Sequence, residues 1–338
     1  MKPISVLIPT ANQPGFLETA LQSVAHQTAV DQIEEVLVSE NLMNGESERV
    51  CKRFKSLPIR YIFQDPPVSQ VEHFIYLYNQ ARADLVTLLC DDDWWGPGHF
   101  QGALQALKGN SEAVAWASAC LTVRGDTPWT GVMSQSPILW ILAGRPSVCE
   151  TWPLTSHQVL AASWIITPFA LSAMVIRRPA VRQAVSALAD LHSYQVDRML
   201  QVQLGTLGMI LYEPVADTCI RSHSEALTWQ FSKDARVGEF HKCTSLIWDL
   251  CEKQGVDVVS IWQRSLAGLN GQILEDVSRL FRMSMEDAQL RARGFEQLAP
   301  HPLVRMLRRA RTIVNNRWKP YKAVAYKTFG LARRQERG

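Results

Sequence analysis

The chain of 338 residues is 47% hydrophobic and 20% charged with a net charge of +3, a composition ordinary for a folded soluble protein, with room for two domains or one large domain and an appendage. Its seven cysteines (51, 90, 120, 149, 219, 243 and 251) are odd in number and contain no C-x-x-C pair, which argues against a disulfide framework or a zinc site and for a reducing compartment. The apolar run Met1–Ile8 is too short for a signal peptide and no segment reads as a clean transmembrane helix, so a cytoplasmic protein is expected.

The first hundred residues alternate strand and helix patterns. Ile4–Ile8 is a buried strand, and the loop Pro9–Gly15 has turn chemistry. Phe16–Gln27 follows, with apolar residues at 17, 20, 21, 24 and 25 in helical spacing. Glu35–Ser39 is a second strand, and the polar loop Glu40–Ser47 leads into a helix through Phe54. Ile59–Phe63, the helix Val71–Ala83 and the strand Asp84–Cys90 complete a β-α-β-α-β-α-β order, which implies a parallel sheet with right-handed crossovers. Further on, Phe100–Leu107 is a helix, Ala113–Val123 a strand and Ala173–Ile176 another strand. Arg182–Leu191 and Asp197–Leu204 are helical, Met209–Tyr212 is a short strand, and the pattern from Ser232 onward is helical.

The densest chemistry lies where the fourth strand ends, in Asp91-Asp92-Asp93 followed by Trp94-Trp95. Like charges about 4 Å apart at an effective dielectric of about 20 repel by roughly 4 kcal/mol. A hard divalent cation removes that cost, because it prefers carboxylate oxygens. The bland alternative is a solvated turn, with Asp93 capping a helix that begins near Pro97. Strand ends at Pro9–Asn12, Ser39–Asn41 and Asp91–Asp93 share one edge of a parallel sheet, where open α/β sheets place their ligands.

This arrangement resembles the family 2 inverting glycosyltransferases, which have the GT-A fold. Ile8-Pro9-Thr10-Ala11-Asn12-Gln13-Pro14 is similar to that family's opening "IPTYNR" segment, with Ala11 where an aromatic is usual. Ala81–Asp93 is similar to its strand and D-x-D motif. The resemblance is close over residues 3–100 and thinner to about 225. It implies a Rossmann-like, mostly parallel α/β sheet flanked by helices over residues 1–225, followed by a C-terminal helical region. Residues 1–100 would be the nucleotide-sugar half and 101–225 the acceptor half, with a helical region over 226–302 and a basic tail over 303–338.

The same resemblance assigns roles. Pro9, Thr10, Asn12, Glu40, Asp91, Asp92 and Arg221 would contact the nucleotide sugar, Glu40 standing where the family often has Asp. Asp91 and Asp93 would hold Mn²⁺ or Mg²⁺, with Asp93 as direct ligand. In Arg221-Ser222-His223, which is similar to an R-x-H segment, His223 would complete the metal shell. Asp92 is the member of the triplet expected to matter least. Asp197 stands where the base begins a helix leading through Gly205 and Gly208 to a strand and Pro214, although Val196 replaces the usual preceding acid. Asp190 is the alternative base. Trp94 and Trp95 would stack on the acceptor sugar, or one of them would be core. The product would be a glycan, of the bacterial surface-polysaccharide type, with an acceptor that can be lipid-linked.

Rival classes leave weaker marks. A haloacid-dehalogenase-type phosphatase wants Thr or Val where Trp95 stands, and a nucleotidyltransferase wants a basic, Gly-rich first loop. A scaffold that merely holds a structural ion is the non-enzymatic reading. Charge is also uneven along the chain. Residues 303–338 carry 11 Lys or Arg against one Glu, a net of +10, which leaves about −7 on residues 1–302. Leu303, Leu307, Ala310, Ile313 and Val314 form one stripe of a basic amphipathic helix there, suited to an anionic membrane surface. No nucleic-acid motif accompanies the charge, so nucleic acid is not expected as a partner. From Thr127 to Ile176 the only Asp, Glu, Lys or Arg residues are Arg145 and Glu150. That stretch is broken by prolines, and reads as an acceptor-side loop with a core strand or as a Trp-bearing surface touching the bilayer. Peripheral attachment to the inner face of the cell membrane is the resulting expectation.

Overall fold

The computed structural model describes residues 2–42, 45–124, 127–128, 136–144, 146, 150–188, 195–223 and 232–266. The expected α/β order is present. It runs β1 (Ile4–Thr10), α1 (Pro14–Ala25), β2 (Ile33–Glu40), α2 (Glu46–Arg53), β3 (Ile59–Phe63), α3 (Gln70–Gln80) and β4 (Leu85–Leu88). Next come β5 (Trp94–Trp95), α4 (His99–Lys108), β6 (Ala113–Arg124), β7 (Thr127–Pro128), α5 (Ser136–Leu142), β8 (Trp152–Leu154) and α6 (Ser156–Ile165). A 3₁₀ turn (Leu171–Ala173) precedes β9 (Met174–Arg177), α7 (Arg178–Ser186), α8 (Val196–Leu207) and β10 (Met209–Arg221). Two further helices are α9 (Lys233–Lys253) and α10 (Val258–Leu266).

The strands form one sheet in the order β3-β2-β1-β4-β9-β6-β10-β5, with β7 on β6 and β8 on β10. β1 to β4 are parallel, while β9 is antiparallel to both of its neighbours β4 and β6. Two reversals cancel, so β6 runs the same way as β4, and β10 runs parallel to β6. The carboxyl ends of β1, β2, β4, β6 and β10 therefore share one edge. Side chains alternate between the two faces of a strand. Val6 and Ile8 meet Leu17, Leu21 and Val24 of α1, Val50 of α2 and Phe100 of α4 on one face, while Leu7 lies with α3, α7 and α8 on the other.

Helix ends follow their local chemistry. Ser69 with Glu72 and Thr155 with Gln158 form capping boxes at α3 and α6, and Pro14 and Pro179 occupy first turns that need no amide donor there. The strand expected over Met209–Tyr212 is longer. β10 continues past Pro214 to Arg221, with register shifts between Glu213 and Thr218 absorbing the interruption.

The low-charge stretch turns inward. Ile138, Leu139, Ile141, Leu142, Trp152 and Trp164 are buried in the main core, so among the described residues it is not a bilayer-facing tryptophan surface; Trp129 lies outside the described residues. α9 and α10 join that core through Cys243, Ile247, Trp248 and Trp262, whose indole N–H donates to the Ala161 carbonyl at 3.1 Å. No helix among the described residues is long and apolar enough to cross a membrane. The basic tail 303–338 and Asp190 lie outside the described residues.

α6 and α8 approach so closely that a Cβ on Gly205 would sit 2.8 Å from Cγ1 of Val159. Gly205→Ala should lower the unfolding free energy by about 1–3 kcal/mol despite the better helix propensity of alanine. Val159→Ala removes the obstructing methyl, so the double variant should recover part of the loss. Urea denaturation of the four-member cycle checks this; additive losses would show that the contact is not the cause.

Candidate active site

After β4 the chain turns through Asp91-Asp92-Asp93 at the carboxyl edge. Asp91 Oδ2 accepts the Thr10 hydroxyl of β1 at 2.6 Å. Asp93, 5% exposed, accepts the Ser172 hydroxyl on Oδ2 at 2.6 Å and the Arg221 N–H on Oδ1 at 3.0 Å. Asp92 Oδ2 lies 2.9 Å from Nε2 of His223, and the Asp92 carbonyl accepts Nε of Arg221 at 3.0 Å. The three carboxylates are thus pinned by β1, by the turn before β9, and by the end of β10. Asp93 does not cap the following helix, whose N-cap is Gly98.

Arg221 is held by its surroundings. Its guanidinium carbon lies 4.8 Å from the ring centre of Phe16 and 4.7 Å from that of Trp94, a placement favourable to a cation. Phe16 also meets the His223 ring edge-on at 5.0 Å. Trp95 takes the other direction. It is 3% exposed, stacks on His99 and donates its indole N–H to the Ser172 carbonyl. It is core beneath α4, whereas Trp94 stays partly exposed.

Burial disfavours the charged form of these acids. The Asp91 carboxyl is pushed up to about 7 by burial, with the Asp92 charge adding and the Thr10 hydrogen bond opposing. Asp93 rises well above the ordinary carboxylate range, again by burial first and the Asp92 charge second. Cys90, Asp92 and Asp93 bring three potential ligand atoms within 4.8 Å of one another. That donor set fits a divalent cation, although Cys90 belongs to it and Asp91, tied to Thr10, does not.

The other expected residues are placed as follows. Pro9 pairs with Ser39 in the β1–β2 ladder, and Asn12 lies exposed in the following loop with a left-handed backbone, φ 59°. Glu40 is fully buried, and its two oxygens accept the hydroxyls of Ser47 and Tyr61. Asp197 occupies the first turn of α8 and accepts the Arg198 N–H at 2.7 Å. Burial raises its carboxyl to about 6, and Arg198 opposes the rise. The fully buried Arg198 guanidinium reaches the Ser163 and Trp164 carbonyls at the end of α6 and the Thr244 hydroxyl of α9, a cation at a helix C-terminus.

Topology places Asp197 on the working edge. β10 starts opposite Ala113, at the far end of β6, and α8 ends two residues before β10. A helix of twelve residues spans roughly 18 Å, enough to return its first turn to the carboxyl edge. The contacts agree. Gln201 of α8 grips both the N–H and the carbonyl of Phe169, three residues before the serine that holds Asp93. Ser172 and Phe16 join the site with no sequence signal of their own. Each is a single residue without a motif, and only the fold carries it to the triplet.

The fold is shared with known proteins. The crystal structure of S. aureus TarS residues 1–349 in complex with UDP-GlcNAc is similar at a TM-score of 0.57 and 14% identity, over 98% of this chain and 93% of that one. The mannosyltransferase PcManGT from Pyrobaculum calidifontis, in complex with GDP-Man and Mn²⁺, is similar at 0.53 and 12%, over 94% and 87%. These likenesses show the GT-A fold. No curated protein sequence matches the chain. The family described as Glycosyl transferase family 2 matches residues 5–181, more than half of the chain. With its opening strand, acidic turn and β9 all inside that match, the chain is a member of glycosyl transferase family 2.

Proposed function

We propose that the protein transfers one sugar, with inversion, from a nucleotide-sugar donor to a glycan acceptor, using a divalent cation held at the acidic turn. The observation that carries this reading is the buried carboxylate cluster around Asp93 on the same sheet edge as Asp197. UDP-GlcNAc in TarS and GDP-Man with Mn²⁺ in PcManGT support the donor class and the cation.

Asp93 and Asp92 would hold the cation, with Cys90, Asp91 and His223 around it; bound there, a divalent cation would supply positive charge to offset that of the departing nucleotide diphosphate. Thr10 fixes Asp91 at the donor end, and Pro9 and Asn12 shape the loop that receives the nucleotide. Arg221 supplies a fixed cation to the diphosphate, held in place by Phe16 and Trp94. Trp94 offers an apolar ring to the acceptor. Asp197 takes the proton of the acceptor hydroxyl as that oxygen attacks the anomeric carbon. A surface-polysaccharide acceptor on a lipid carrier is consistent with the basic segment 303–338, which would hold the enzyme at an anionic membrane surface.

Asp197→Asn should lower kcat by about 10²–10⁴-fold while leaving the donor Kd within a few-fold. In the unsubstituted enzyme kcat/KM should fall as pH drops through about 6, where Asp197 takes up its proton. Full activity of the Asn variant in a sugar-transfer assay would remove Asp197 as the base, and NMR of the anomeric configuration of the product tests inversion.

The acidic turn also links metal and stability. Asp91 holds its proton up to about 7 when folded, against an ordinary value of 3.8. At Asp91 the folded state therefore binds more protons than the unfolded state across that window, so this carboxyl's contribution to metal-free stability should fall as pH rises from about 4 to 7, against the opposite contribution of the buried, neutral His73 and His99. Mn²⁺ should raise Tm more at pH 8 than at pH 5.5. Calorimetry with and without Mn²⁺ measures both, and an equal Mn²⁺ effect at the two pH values would count against carboxylate ligation.

Deleting residues 303–338 should shift the protein from vesicles containing anionic lipid to the supernatant in a sedimentation assay. Unchanged partitioning would assign membrane contact elsewhere.

A further inference from the structure

We infer that Ser172 is a positioning residue for the metal-holding carboxylate of Asp93, an assignment that rests on the reading of Asp93 as a ligand. Ser172 is 1% exposed, and its hydroxyl lies between two partners: the Cys90 N–H at 3.1 Å and Asp93 Oδ2 at 2.6 Å. A serine hydroxyl has one proton to give. The amide of Cys90 can only donate, so the Ser172 oxygen accepts from it and its single proton is directed at Asp93. The orientation of this hydrogen bond is therefore set by its surroundings rather than by a free rotor.

The other oxygen of Asp93 is held by a second donor-only group, the Arg221 N–H at 3.0 Å. With one donor on each oxygen the carboxylate cannot rotate, and each oxygen keeps a lone pair for a cation. The Ser172 backbone is fixed as well, because its carbonyl accepts the indole N–H of buried Trp95. Ser172 stands 79 residues from Asp93 along the chain, on the turn that enters β9. The half of the chain expected to receive the acceptor thereby sets the angle of a ligand on the donor side.

Removing the hydroxyl frees one Asp93 oxygen to swing and leaves the Cys90 N–H without its acceptor. Groups that orient metal ligands in this way typically change metal affinity about 10–100-fold when deleted. The test uses the full chain with Mn²⁺ alone as the probe, counting free Mn²⁺ by electron paramagnetic resonance for the unsubstituted protein, Ser172→Ala, Ser172→Cys and Asp93→Asn. Asp93→Asn should abolish tight binding. Ser172→Ala should raise the Mn²⁺ Kd about 10–100-fold, and saturating Mn²⁺ should restore most of kcat in a transfer assay. Ser172→Cys, close in volume but a weak donor, should behave alike and carries the test if the alanine variant does not fold.

A merely structural serine would lower the metal-free Tm and leave the Mn²⁺ Kd unchanged. A Kd within about threefold of the unsubstituted protein in the folded serine variant, with binding lost in Asp93→Asn, would overturn the role of Ser172 alone. Unaltered binding in Asp93→Asn would overturn the ligand reading beneath it.

Discussion

The structure depends on how three adjacent carboxylates are tolerated at the end of a buried strand. Asp93 is almost wholly enclosed, yet its neighbours are two more acids. Hydroxyl and amide donors restrain two of the side chains without cancelling their charge, a threonine hydroxyl on Asp91 and a serine hydroxyl and an amide on Asp93, while the His223 ring lies beside Asp92. Hydrogen bonds of this kind lower the cost of ionisation but do not outweigh burial, so Asp91 and Asp93 remain strong proton acceptors. A site that grips its acids while leaving them undercompensated is prepared for a cation. Full pairing by Arg or Lys would have made the turn more stable in isolation and closed it to a metal.

The reversal at β9 makes this assembly possible. Had β9 joined the sheet in parallel, with β6 and β10 keeping their antiparallel and parallel pairings, both would have run the opposite way and Arg221 and His223 would have emerged at the far edge. Because β9 is antiparallel to β4 and to β6, the turn leading into β9 also lies on the carboxyl edge, which is where Ser172 must be. One strand direction thus supplies Ser172 from its start and brings Arg221 from the end of β10.

How much of this could be read from the sequence varies by element. β1, β2 and β4 are legible because a parallel strand buried on both faces gives a short apolar run, the half-buried edge strand β3 because Ile59–Phe63 is rich in β-branched and aromatic residues, and the intervening helices keep their period. For β10 the apolar pattern marks Met209–Tyr212 alone. Pro214 and Asp217 break the apolar pattern beyond that point, and bulged pairing to β6 carries the strand through them. The low-charge stretch was ambiguous for a different reason: an apolar, tryptophan-bearing segment has the same composition whether it faces lipid or core, and only the burial of Trp152 and Trp164 decides it. The acids of the site were visible as a motif. Their supports, Phe16 and Ser172, were not, because an isolated aromatic or serine has no spacing to betray it.

The two tryptophans show how a local rule settles what a motif leaves open. Trp94 and Trp95 pair antiparallel with Cys219 and Thr218, and consecutive residues of a strand point to opposite faces. One ring must therefore enter the core when the other leaves it. Trp95 enters, under α4, and its indole N–H is satisfied by Ser172. Trp94 leaves, and meets the Arg221 guanidinium, whose Nε is tied to the Asp92 carbonyl. The buried indole thus steadies the serine that orients Asp93, while the outward one steadies the arginine beside Asp92. A two-residue strand joins the core to both sides of the acidic turn, so the placement of the carboxylates and the packing of the core are one structural problem.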